Sequence, residues 1–204
     1  SAGASRPILR RKHAVNMYKL SKKSTRALCE GGIMVALAVI LGMLRLYRLP
    51  NGGSITIAIL PLVFFAARYG PGWGFLAGFA YGGLDYIVGH GIAIDWTSIL
   101  FDYFLSYGLL GLGAGLFHKN KYRAYIGTVA GGALMFLSFY LVGVFIWGKY
   151  MPEEFLGLTM TSPWIYSFLY NTISVGPNVV LTLILFALLH RVKPIRKQLL
   201  PEEL

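Results

Sequence analysis

Asp102 lies within an apolar run, "SILFDYFLSYGLLGLGAGLF" (98–117), that contains no basic residue. Ser98, Asp102 and Ser106 recur every four positions and share one face of a helix, with Tyr103 and Tyr107 beside them. A carboxylate at the centre of a hydrocarbon layer costs roughly 2.5–3.5 kcal/mol on insertion scales, so such an acid marks a functional position. Ser167, Asn171, Ser174 and Asn178 follow i, i+4, i+7 and i+11 and form a second polar stripe. Trp147, Trp164, Tyr166 and Tyr170 fall close to these stripes. A carboxylate as counter-ion, aromatic faces for stacking and an amide for hydrogen bonding suit a small, planar, cationic ligand.

Each residue also has a plainer explanation. Interfacial anchoring alone accounts for Trp96, Trp147 or Trp164 taken singly. Serine and asparagine on membrane helices often bond a neighbouring helix. Asp85 lies nearer its helix end than Asp102 and is the weaker candidate, and Asp95 reads as a helix N-cap. Asp102 is the residue that such explanations cover least well.

Several chemistries are excluded. No G-x-x-x-x-G-K-[ST] loop occurs, since Gly148-Lys149 is followed by Tyr150, so the chain cannot couple ATP by itself. H-E-x-x-H is absent, and His13, His90, His118 and His190 are too scattered to form a ligand set. The single cysteine, Cys29, excludes an intrachain disulfide and any CxxC site. No acid pair suits glycosidase or phosphotransfer chemistry, and the chain is read as not being an enzyme.

The elements that must position these residues are membrane helices. Of 204 residues 56% are hydrophobic and only 13% charged, against about 25% charged in a soluble domain. The apolar residues form blocks long enough to cross a bilayer. The expected fold is an all-α membrane protein, a bundle of six transmembrane helices at 25–46, 55–69, 72–90, 96–117, 124–148 and 163–190. The second is short: ~15 residues at 1.5 Å rise give about 22 Å against a core of ~30 Å. No internal repeat is visible, which disfavours an inverted-repeat transporter carrying its whole mechanism in one chain.

Charge orients the bundle. Six crossings place Lys19, Lys22, Lys23, Arg26, Arg68, Lys119, Lys121, Arg123, Arg191, Lys193, Arg196 and Lys197 on one side, and only Arg45, Arg48 and Lys149 on the other. Both termini are therefore expected in the cytoplasm. This placement in tails and short loops explains the net charge of +11 as topogenic and removes a nucleic-acid reading. Residues 1–16 are unlike the rest of the chain and read as an appended leader outside the functional argument, with 17–24 a basic cytoplasmic start, 25–190 the membrane domain and 191–204 a cytoplasmic tail. In this frame Asp102 lies about 9 Å below the outer end of its helix, and the intramembrane polar and aromatic groups gather in the outer half. Gly70, Gly74, Gly78 and Gly82, with Gly111/Gly115 and Gly127/Gly131, repeat at four-residue spacing and predict close helix packing.

Four segments together, "ILPLVFFAARYGPGWGFLAGFAYGGLDYIVG", "FDYFLSYGLLGLGAG", "YLVGVFIWGKY" and "SPWIYSFLYN", resemble the substrate-binding S-component of energy-coupling factor vitamin transporters, and within it the thiamin-specific family. The resemblance runs along most of 25–190. It implies a subunit that binds thiamin from outside and works with a transmembrane coupling subunit and two ATPase subunits in a bacterial cell membrane. No cofactor of its own is implied, because ATP is used by the partners. Asp102 matches the acid that faces the thiazolium, where the family usually has the longer glutamate, and Tyr103 follows it. Trp147 matches the ring-stacking tryptophan, Tyr166 and Asn171 the sixth-helix motif, and Tyr47 is the candidate loop aromatic. Tyr170 joins the aromatic wall. Phe139 stands where the family has a histidine, and the loop after Trp147 is longer. Gly32 and Ala36 match the small pair that docks the coupling subunit. Two alternatives stay open: another vitamin or modified base in the same fold, which Phe139 favours, or a structural membrane protein without a small ligand.

Overall fold

The computed structural model describes residues 5–49, 52–89, 91–120, 122–192 and 194, with side chains from Lys23 onward. His90, Lys121, Lys193, Arg196, Lys197 and most of the expected tail lie outside the described residues.

Among the described residues there are six main helices: α1 (Ser5–Met43), α2 (Ile59–Tyr69), α3 (Pro71–Val88), α4 (Trp96–Leu116), α5 (Arg123–Phe145) and α6 (Pro163–Leu189). Among the described residues four stretches are long and apolar enough to cross a membrane: Lys23–Met43, Trp96–Leu116, Arg123–Phe145 and Pro163–Leu189. Helix α1 begins well before the expected first span, and its backbone runs without a break across the 16/17 boundary. The second span, expected at 55–69, is helical only over Ile59–Tyr69. Ser54–Ile55 instead pairs as strand β2 with β1 (Tyr47–Arg48). The expected spans at 25–46 and 124–148 likewise end early, at Met43 and Phe145.

The ends of these elements have local causes. Asp95, extended at φ −154°, accepts the Ser98 amide at 2.9 Å and the Thr97 hydroxyl at 2.5 Å, which makes it the N-cap of α4. Both contacts favour its ionised form and hold its carboxyl below the usual range. Ser162 caps α6 by accepting the Trp164 amide, with Pro163 at the first helical position. The long fifth connection contains a second hairpin, β3 (Glu154–Phe155) and β4 (Leu158–Thr159). Its two turn residues, Leu156 and Gly157, both have positive φ, as a two-residue type I′ turn requires. These two hairpins are the part of the fold that the all-α expectation omits.

Glycine packing sets how close the helices lie. A Cβ on Gly78 would stand 1.9 Å from the Tyr107 carbonyl oxygen, on Gly82 2.1 Å from that of Tyr103, and on Gly74 2.2 Å from that of Gly111. Helices α3 and α4 therefore touch backbone to backbone, as Gly127 and Gly131 make α5 touch α4 at Ala114 and Leu110. Gly70 departs from the stripe: it ends α2 at φ 93°, a conformation that disfavours other residues, and sits against Gly115. Around these contacts Leu62, Val63, Phe65, Ala66, Leu110 and Ala114 are buried in one core. Ile33, Leu37, Ile40, Leu76, Val129 and Ile184 point outward, where lipid rather than water is their solvent.

Candidate ligand-binding site

The polar residues converge on one cavity, walled by α1, the first hairpin, α3, α4, α5 and α6. It encloses about 1190 Å³ of space not filled by atoms, mouth included. Asp102, Tyr103, Phe139, Trp147, Tyr166, Tyr170 and Asn171 all line it. Tyr47 does not. It sits on β1 with 60% of its surface exposed.

The wall around Asp102 is built by an irregular helix. Residues Ile99–Leu105 form a π-helical segment inside α4. The wider turn alters the face expected from α-helical spacing. Ser98 stays on the side of the α3–α4 loop, where its hydroxyl accepts the Ile94 amide at 3.3 Å. Ser106 turns away, is fully buried, and donates to the Phe101 carbonyl five residues back at 2.8 Å while meeting the Ser138 hydroxyl of α5 at 2.8 Å. The stripe Ser98–Asp102–Ser106 thus splits between a cavity face and a helix contact. In exchange, the consecutive residues Asp102 and Tyr103 both reach the cavity.

The indole Nε1 of Trp147 donates to Asp102 Oδ2 at 2.7 Å. Trp147 lies just past the end of α5, before a short 3-10 turn (Gly148–Tyr150), and this bond fixes the edge of its indole against the carboxylate. The ion pairs among the described residues, Arg26–Glu30 and Arg68–Glu30, both involve α1 far from Asp102. Among the described residues the Asp102 charge is therefore met by the Trp147 indole N–H rather than by a neighbouring cation.

Tyr103 has a second task. Its hydroxyl accepts the Ile92 amide at 2.8 Å and donates to the Ile92 carbonyl at 3.0 Å, which pins the α3–α4 loop. Its ring, edge-on to Tyr86 at 5.0 Å, is what remains for a ligand. On α6, Asn171 donates through Nδ2 to the Ser167 carbonyl and hydroxyl at 2.9 and 3.1 Å, which leaves Oδ1 as its available acceptor. Tyr166 and Tyr170 lie 5.7 Å apart and both contact Phe155 of the second hairpin, at 5.3 and 5.9 Å. Phe139 meets Tyr107 edge-on at 6.0 Å, so an apolar contact occupies this place on the wall.

A second polar cluster was not assembled from sequence. Asp85, the weaker acid, lines the cavity together with Arg45, Tyr81 and Tyr107. The Asp85 carboxylate and the Tyr81 hydroxyl both come close to Gly42, and Asp85 faces the charge of Arg45. The Arg45 guanidinium also donates to the Gly89 carbonyl and so ties the end of α1 to the end of α3. The available signal was an acid and a base at the outer ends of two neighbouring helices. Asn178, read only as part of a stripe, also lines the cavity, with Ser174 and Thr56.

The small pair expected to dock a partner is placed differently. Gly32 lies on the outer face of α1, and a Cβ there would meet nothing within 4 Å. Ala36 sits one turn later, and both are exposed.

Comparison with known proteins agrees with this architecture. A solved structure of ThiT from Listeria monocytogenes superposes with a TM-score of 0.75 at 22% identity, covering 88% of this chain and 100% of that one. The thiamine transporter ThiT of Bacillus subtilis is 27% identical over 189 residues, 85% of this chain and 94% of that protein. The ThiT of Lacticaseibacillus paracasei is 26% identical over 187 residues, 84% of this chain and 90% of that protein. The family model described as thiamine transporter protein (Thia_YuaJ) matches residues 28–198. The chain is a multi-pass plasma-membrane protein of the thiamine transporter family, a family of transporters and not of enzymes.

Proposed function

We propose that this protein is the substrate-binding S-component of an energy-coupling factor importer and holds thiamin in the cavity between α3, α4, α5 and α6. The observation that carries the reading is the Asp102 carboxylate, held by Trp147 at 2.7 Å on the wall of an aromatic cavity and without an ion-pair partner among the described residues. Asp102 serves as counter-ion to the thiazolium. Trp147, Tyr103, Tyr166 and Tyr170 supply aromatic faces, and Asn171 Oδ1 accepts from an amino group. Six crossings with both termini in the cytoplasm accord with the charge distribution, Arg68, Lys119 and Arg123 falling at one end and Arg45, Arg48 and Lys149 at the other.

Uptake then needs a transmembrane coupling subunit and two ATPases, because the sequence has no nucleotide-binding loop. The exposed Gly32 and Ala36 face of α1 is the docking surface in this reading, since close helix approach needs small residues. The experiment is a titration of the purified subunit with thiamin, monitored by quenching of tryptophan fluorescence, beside a thermal-shift panel of other vitamins. Saturable thiamin binding supports the reading. Absence of any thiamin response with stabilisation by another vitamin transfers the fold to that ligand, which the apolar Phe139 on the wall would favour.

A further inference from the structure

The wall of the cavity contributed by residues 52–56 is not made by a helix. Gly52, Gly53, Ser54 and Thr56 line the site, yet the segment belongs to a hairpin of two-residue strands, which has little stability of its own. What fixes it lies more than a hundred residues away on α6. Asn178 Oδ1 accepts the Thr56 amide at 2.6 Å, and Asn178 Nδ2 donates to the Ser54 carbonyl at 3.0 Å. The same Nδ2 donates to the Ser174 carbonyl at 2.7 Å, which locks the amide plane relative to its own helix. Two turns toward the outer end, the Tyr170 hydroxyl accepts the Gly53 amide at 2.8 Å. Tyr170 comes so close that a Cβ on Gly53 would lie 2.6 Å from its oxygen.

Asn178 is buried and both functional groups of its side chain are used. An asparagine on a membrane helix more simply bonds its own helix or the next one; this one instead satisfies an amide and a carbonyl of a loop strand, as a third strand would. The next hydrogen bond along the same helix, from the Thr182 hydroxyl to the Asn178 carbonyl at 2.8 Å, stays local and provides the contrast.

We propose that Asn178 and Tyr170 are positioning residues that clamp residues 52–56 across the cavity, and that the clamp sets how slowly a bound ligand leaves. The inference rests on the thiamin reading of the cavity. It assigns Tyr170 a role through the loop backbone in addition to any contact with ligand, and gives Asn178 a role where none was assigned. Asn178→Asp keeps the acceptor for the Thr56 amide and loses the donor to Ser54. Tyr170→Phe keeps the ring and loses only the hydroxyl.

The test is stopped-flow thiamin binding to wild type, Asn178→Asp, Tyr170→Phe and the control Thr172→Ala, whose hydroxyl bonds the Phe168 carbonyl of its own helix. The expected result is a dissociation rate raised about tenfold in Asn178→Asp and several-fold in Tyr170→Phe, since a buried hydrogen bond is worth about a decade in an equilibrium. Association should change by less than about threefold and Thr172→Ala should match wild type. Backbone hydrogen exchange of Gly53 and Thr56 without ligand supplies the readout that does not depend on thiamin, and it should accelerate in both clamp variants while helix α4 stays protected. Normal dissociation together with unchanged exchange in both variants overturns the clamp. Wild type that binds no thiamin overturns the ligand reading instead; faster exchange in the variants then still supports the clamp of the loop, and unchanged exchange removes that too.

Discussion

Replacing Asp102 by asparagine removes a charge and almost nothing else. The amide oxygen can still accept the Trp147 indole N–H that lies 2.7 Å from Oδ2, so the aromatic wall keeps its position. Side-chain volume is nearly conserved, which protects the π-helical segment Ile99–Leu105 from repacking. What is lost is the attraction between the carboxylate and the thiazolium. At an effective dielectric of ~20 and a separation of ~5 Å this is about 3 kcal/mol, roughly a hundred-fold in Kd. Asp102 is only partly covered by protein, so screening at the mouth brings the expected loss to between about ten- and a hundred-fold.

The discriminating measurement pairs thiamin with an analogue in which a neutral thiophene ring replaces the thiazolium. Titrated against Asp102→Asn, the analogue should lose less than about threefold, because its remaining contacts are hydrogen bonds and stacking that asparagine leaves intact. Thermal unfolding without ligand adds a second check: with no cation paired to it, the carboxylate carries a desolvation cost, so the asparagine variant should unfold at the same or a higher temperature. An equal loss for cationic and neutral ligands would refute the counter-ion argument, and a large fall in ligand-free stability would recast Asp102 as a structural hydrogen-bonding group.

The geometry carries three further expected outcomes. Trp147→Phe keeps an aromatic face and deletes the donor to Asp102; thiamin affinity should fall by about tenfold in the same titration, with the dissociation of the neutral analogue changed less. Gly78→Ala would drive a Cβ to 1.9 Å from the Tyr107 carbonyl oxygen, so the variant should yield little folded protein or unfold at least ~10 °C lower, whereas Gly72→Ala, with nothing within 4 Å, should match or exceed wild type. Gly32→Leu should leave thiamin binding by the isolated subunit within about twofold and abolish uptake by cells that carry the coupling subunits; undiminished uptake would rule out the Gly32 face as the docking surface.

What could be read from the sequence was whatever depends on short-range periodicity. Hydropathy blocks located the helices, to within a few residues except at the start of α1, the Asp95 cap was legible from its place before an apolar run, and the glycine repeats predicted close packing without saying which helices meet. The π-helical segment was invisible because hydrogen-bond register leaves no trace in hydropathy; "LFDYFL" scores as an ordinary membrane helix. It misled the reading of Ser106, which α-helical arithmetic placed beside Asp102 and which instead meets Ser138. The hairpins were missed since strands of two residues are too short to alternate, although Asn51-Gly52-Gly53 between β1 and β2 is a turn signal in the sequence. The approach of Arg45 to Asp85, like the bond of Asn178 with Thr56, depends on which helices are neighbours, and that is decided by the whole bundle.

The way the walls are joined argues for where the cavity opens. Helices α3, α4 and α5 meet through glycine at backbone distance, at Gly74, Gly78, Gly82, Gly127 and Gly131, and no rotamer change can separate them. Residues 52–56 are held by side-chain hydrogen bonds from Asn178 and Tyr170, and the outer end of α1 by the bond from Arg45 to Gly89. Each of these can break singly and re-form with water near the outer surface, at a cost of about 0.5–1.5 kcal/mol apiece. A ligand leaving toward the inner half would have to part backbones packed at glycine; one leaving past residues 52–56 breaks three hydrogen bonds. In the proposed orientation the isolated subunit should therefore exchange its ligand past residues 52–56 alone, because the glycine-packed walls offer no second path that breaks so few bonds.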